Sequence, residues 1–141
     1  RDPTKICTDV VEMREKMRTH LASRDESGIN FKQDPGGMVD IEFTTQAGVL
    51  LNVAEHPEML SVSSTLEFIE YLVAVGWYSS DEANDLATAY KLFRQQTNRQ
   101  ALEVDLPDDI KQGLQPHLDR GTEIWSRLVI ANAVVQEDRA S

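Results

Sequence analysis

The segment from Lys32 to Phe43, which reads Lys-Gln-Asp-Pro-Gly-Gly-Met-Val-Asp-Ile-Glu-Phe, concentrates the residues whose types and spacing suit chemistry. Gly36 and Gly37 stand immediately before an apolar stretch of helical period, and Lys32 lies four residues upstream of Gly36. Such an arrangement can hold an anion. Glycines let the backbone approach a ligand, free N–H groups point out of the helix start, and the helix dipole favours negative charge there. Lys32 would supply the compact positive charge that suits a phosphate. The same residues also fit a plain turn into a helix, with Lys32 solvated and Asp40 stabilising the dipole. Asp40-x-Glu42 resembles the paired carboxylates that hold metal ions, but those sit two apart on a strand, where both side chains face one way. On a helix, residues two apart diverge by about 200°. Glu42 and Gln46, four apart, share a face instead. No metal site is therefore expected.

The elements that must position this segment are helical. From Met38 to about Val53 the apolar residues Val39, Phe43 and Leu50 share a face, with Ile41, Val49 and Val53 beside it, until His56-Pro57 ends the element. Upstream, Ile6, Val10, Met13, Met17 and Leu21 recur at three and four, predicting a helix from Thr4 to about Arg24, capped by Thr4 or Thr8. Its basic face carries Arg14, Lys16, Arg18 and Arg24. Residues 24–37 have no helical period and read as an ordered, glycine-rich loop. Downstream, a helix is expected from Ser64 to Val75 with Gly76 as its stop. Ser79 and Glu82 have capping-box spacing at the head of another helix that continues to Ala101. After a break at residues 105–109, a last helix runs through Leu128 and Val129, interrupted at Gly121. The polar tail 136–141 is expected to fray. No run alternates long enough for a sheet, so the chain is read as all-α: a bundle of about five helices in one domain, residues 1–141.

Composition narrows the function classes. The chain has 141 residues, 40% hydrophobic and 27% charged, with a formal net charge of −10. An acidic surface repels phosphate backbones, so a nucleic-acid partner is not expected. The apolar runs are too short to span a bilayer and no secretory signal opens the chain. The lone Cys7 excludes an internal disulfide, fits a reducing cytoplasmic setting, and reads as a small buried thiol. His20, His56 and His117 show no ligand spacing. No nucleophile–base arrangement suggests itself, so catalytic residues are not expected in this chain. It starts with Arg1 and not Met, as an excerpt from a longer protein would.

Three stretches carry a family resemblance. Lys-x-Asp-Pro-Gly-Gly-x-Val-Asp-Ile-Glu-Phe-x-x-Gln, spanning Lys32 to Gln46, resembles the signature of the helical domain that follows the nucleotidyltransferase domain in bacterial glutamine synthetase adenylyltransferases. Met13 to Leu21 is similar to the "MRxKMRxHL" stretch of the same proteins, and His56 to Leu60 to their "HPxLL" segment. The Asp-Pro-Gly-Gly-x-Val version looks like the C-terminal, adenylylating half, as does the polar ending after Val135. PII uridylyltransferases contain a related domain. There are departures: Ala47, followed by Gly48, stands where the family has a tyrosine after the glutamine, and Ser63 to Glu67 and Phe93 to Arg99 depart from its usual patterns.

The resemblance implies a parent enzyme that transfers AMP from ATP, with Mg2+, to a tyrosine of glutamine synthetase, and that reverses this under the control of PII signal protein and glutamine. The catalytic Gly-Ser…Asp-x-Asp segment is not in this sequence. The chain alone is therefore expected to be inactive, with no tightly bound cofactor. It further implies that Lys32, Gly36, Gly37, Asp40, Glu42 and Gln46 line the nucleotide cleft of the parent's own nucleotidyltransferase domain, with Arg14 and Arg18 as secondary candidates. The alternatives are a pure interaction module for PII or glutamine synthetase, and the equivalent domain of a PII uridylyltransferase.

Overall fold

The computed structural model describes residues 3–21, 34–101 and 108–133. They form five helices: α1 (Pro3–Leu21), α2 (Met38–Asn52), α3 (Thr65–Ala74), α4 (Ser80–Ala101) and α5 (Asp108–Trp125). No strand occurs among the described residues, so the all-α bundle is what the chain adopts. The 24–33 part of the glycine-rich loop, the break at 105–107 and the tail 136–141 lie outside the described residues.

Helix α2 sits at the centre and touches each of the other four. Its sequence explains the position. Small or apolar residues cover most of its circumference, with Ile41, Thr44, Thr45, Ala47 and Gly48 all buried, so most of the helix must be packed against neighbours and only the edge carrying Glu42 and Gln46 stays partly open. Gly48 lets one of these contacts form. A Cβ there would lie 2.4 Å from the Trp77 ring, whose indole N–H donates to the Thr44 carbonyl at 3.1 Å. Thr45 and the Tyr78 hydroxyl bond at 2.9 Å, and burial pushes that phenol well above its ordinary value. Gly48 thus makes room for an indole lying across α2.

The helix ends follow local chemistry. Ser79 and Glu82 form the expected capping box, the Ser79 hydroxyl accepting from the Glu82 N–H at 3.1 Å and the Glu82 carboxylate from the Ser79 N–H at 3.0 Å. The same carboxylate takes Arg127 at 2.6 Å, tying α4 to the turn that follows α5. Burial raises the Glu82 carboxyl, but the Arg127 and Ser79 hydrogen bonds outweigh it and hold it below its ordinary value. Ser64 caps α3 through the Glu67 N–H. Gly76 follows α3 with φ 86°, a left-handed residue at the helix stop.

Three expectations are corrected. Helix α1 starts at Pro3, so neither threonine caps it, and the Thr8 hydroxyl donates to the Thr4 carbonyl inside the helix at 2.7 Å. The α2 stretch ends at Asn52, before His56-Pro57, and Pro57 instead opens a 3-10 turn, Pro57–Ser61, that buries Met59. Gly121 does not interrupt α5; the irregularity comes later, as a π-helical turn at Ser126–Ile130. Cys7 is buried against this turn, its thiol facing the Leu128 carbonyl at 3.9 Å, and burial pushes the thiol pKa up. That is the setting of a packing residue and not of a nucleophile.

Candidate functional site

The start of α2 is built around one buried carboxylate. Asp40 is 1% exposed. Its Oδ1 accepts from Arg14 Nε at 2.5 Å, and its Oδ2 accepts from the Gly36 N–H at 2.7 Å and from Arg18 Nη2 at 3.3 Å. Arg14 and Arg18 are four apart on α1 and so share a face. Arg14 is fully buried, while a third of the Arg18 side chain reaches solvent and also meets Glu15 at 3.5 Å. Arg14 therefore does not belong to a solvated basic face. The loop turn, α1 and α2 meet at this carboxylate, which lies in the first turn of α2, where the dipole favours negative charge.

The glycines before α2 serve close packing. Gly36 has φ 82°, and a Cβ there would lie 1.8 Å from the Leu118 carbonyl oxygen of α5. Across the contact, a Cβ on Gly121 would lie 2.4 Å from the Gly36 carbonyl oxygen. The backbone that comes close to Gly36 is thus that of α5, and Gly121 is the second half of the contact. Gly37 closes the turn, its N–H donating to the Asp34 carbonyl at 2.9 Å, and becomes the residue before the first turn of α2.

Glu42 and Gln46 lie elsewhere. They line a surface groove of about 570 Å³ between α1, α2 and the start of α3, with Met17, Phe43, Val49 and Phe68 as apolar walls. Glu42 Oε2 accepts from the Tyr90 hydroxyl at 2.9 Å. The Asp40 and Glu42 carboxylates have different partners on different helices, and among the described residues no group of three His, Cys, Asp or Glu side chains could hold a metal ion. Asp40 has both oxygens engaged by this chain's own donors. The donor set does not fit Mg2+.

Of the sequence-based candidates, the structure brings Arg14, Arg18, Gly36 and Asp40 together and places Glu42 and Gln46 in the groove. Lys32 lies outside the described residues. Gly121, Tyr90 and Trp77 are functional to this architecture and were missed by sequence reasoning; only the glycine inside a helical pattern left a signal.

Comparison with known proteins gives consistent matches. Residues 10–118 match the family described as GlnD PII-uridylyltransferase. The chain is similar to bifunctional glutamine synthetase adenylyltransferase/adenylyl-removing enzymes from several bacteria. The protein of Thioalkalivibrio sulfidiphilus is 41% identical over 103 residues, covering 73% of this chain and 11% of that protein. Those of Shewanella loihica and Methylococcus capsulatus are 35% and 39% identical, covering 92% and 93% of this chain and 14% of each relative. The chain thus spans a small part of the length of the curated relatives it matches.

Proposed function

The chain belongs to the GlnD PII-uridylyltransferase family, and from this we propose that it is a helical accessory domain, residues 1–141, of an enzyme that adenylylates and de-adenylylates glutamine synthetase. The observation that carries the reading is the similarity to proteins so named over most of this chain but only 11–14% of theirs. In this reading the segment from Lys32 to Gln46 borders the nucleotide cleft of a neighbouring nucleotidyltransferase domain, in the cytoplasm. ATP and Mg2+ belong to the parent enzyme, and Mg2+ is held by that neighbouring domain.

The roles of the candidates divide by burial. Asp40, Arg14 and Gly36 are positioning residues, which fix where the chain leaves the turn and enters α2. Arg18 extends the same cluster to the surface. Lys32, which precedes the turn, supplies a cation for phosphate, and Gly37 leaves the helix start without a side chain over it. Glu42 and Gln46 present polar groups to the neighbour. Lysine binds phosphate as a point charge. In the full-length enzyme Lys32→Ala is expected to lower adenylylation of glutamine synthetase about tenfold, the effect of losing one charged contact, with the thermal unfolding of the enzyme unchanged. Unaltered turnover and unaltered ATP affinity would refute the cleft assignment.

A further inference from the structure

Among the described residues, Arg14 and Arg18 share the one buried carboxylate of Asp40, and they are held unequally. Arg14 is fully buried, with its Nε on Oδ1 at 2.5 Å. Oδ2 takes the Gly36 N–H at 2.7 Å, so both oxygens have a short partner before Arg18 is counted. Arg18 Nη2 reaches Oδ2 at 3.3 Å and its Nη1 reaches Glu15 at 3.5 Å, both longer than a usual N–H···O bond. Glu15 is 64% exposed, and a surface pair of that kind contributes little. The Arg18 Nε is buried and has no hydrogen-bond partner. A guanidinium has five N–H donors to place. In this pose Arg18 places them badly.

A buried donor without an acceptor is a cost that native proteins seldom leave standing. Leaving the pose removes that cost and gives up only two long contacts. Asp40 keeps Arg14 and the Gly36 N–H, so the cluster survives the departure. A third of the Arg18 side chain already reaches solvent. Its guanidinium also stands beside the glycine turn, because Nη2 and the Gly36 N–H meet at the same oxygen. We propose that Arg18, and not Arg14, is the arginine that meets nucleotide: its guanidinium swings from Asp40 onto a phosphate beside the turn, and Arg14 stays behind as the buried partner of Asp40. The planar head can give a phosphate two parallel N–H bonds, and Nε gains an acceptor. The proposal rests on the reading that residues 32–46 border a nucleotide cleft, and it divides two arginines that spacing alone leaves equivalent.

The test compares ATP with adenosine, which has no phosphate, as ligands of the full-length enzyme by calorimetry. Unaltered, Arg18→Gln and Lys32→Ala forms are measured side by side. Arg18→Gln should weaken ATP about tenfold, the loss of one charged hydrogen-bonding contact, and leave adenosine unchanged. Its unfolding temperature should match that of the unaltered enzyme, because the Arg14–Asp40 pair remains. Unchanged ATP affinity in Arg18→Gln, beside a loss in Lys32→Ala, would overturn the proposal and leave the cleft reading standing. Unchanged affinity in both variants would overturn the two together. Equal losses for ATP and adenosine, or an ATP loss that comes with a lowered unfolding temperature, would make Arg18 a packing residue and overturn the proposal as well.

Discussion

Asp40→Ala is expected to destabilise the chain by about 3–5 kcal/mol, the cost of breaking a buried ion pair by removing one member. Arg14 is fully buried and pairs with the Asp40 carboxylate. Removing the carboxylate also orphans the Gly36 N–H, a buried donor whose loss of a partner adds to the penalty. Against a typical domain stability of about 5–15 kcal/mol, this is a large fraction. Urea unfolding measures it. The paired change Arg14→Met with Asp40→Ala removes both charges and should cost clearly less than the sum of the two single changes, because the pair itself contributes little once both ions are gone. Additive costs would show that the two side chains are not coupled.

Gly36→Ala is the second large effect, at about 3 kcal/mol, and it has two separable parts. A non-glycine residue at φ 82° costs about 1–2 kcal/mol. The added Cβ would in addition fall 1.8 Å from the Leu118 carbonyl oxygen, which is backbone and must move. Displacing a packed element in this way costs about 1–3 kcal/mol. Gly76 isolates the first part. It has φ 86°, and a Cβ there meets nothing within 4 Å, so Gly76→Ala should cost only the conformational share. Thermal unfolding of the two variants side by side gives the packing share by difference. Equal losses would mean that the contact between the turn and α5 is not tight.

What the sequence made legible was whatever depends on neighbours along the chain. The Met38–Asn52 helix followed from apolar spacing, the start of α4 from Ser79 and Glu82, and the α3 stop from Gly76. The α4 start lies in a short polar pattern whose partners are three residues apart, which is why it could be read. What could not be read was whatever joins distant segments. Arg14 reaches Asp40 across 26 residues, and Tyr90 reaches Glu42 across 48. Nothing in the spacing of Arg14, Lys16 and Arg18 says that only the first turns inward. Gly121 was misread for the same reason. Alone in a helical pattern it suggests a break, whereas its physical role is to let Gly36 approach.

The candidate site splits along the same line. The turn, its glycines and the helix behind them were legible as one motif. Its division into a buried latch and a separate groove was not, because α2 is surrounded, and a central helix sends consecutive polar residues to different neighbours. Asp40 faces α1 and the turn, while Glu42 faces α4.

The central claim is that residues 32–46 border a nucleotide cleft formed with a neighbouring domain, and hydrogen–deuterium exchange of the full-length enzyme with and without ATP tests it most directly. The account predicts that saturating ATP slows amide exchange across 32–46 while the exposed turn at Pro57–Ser61 is unaffected. Slowed exchange in the nucleotidyltransferase domain with none at 32–46 would contradict it.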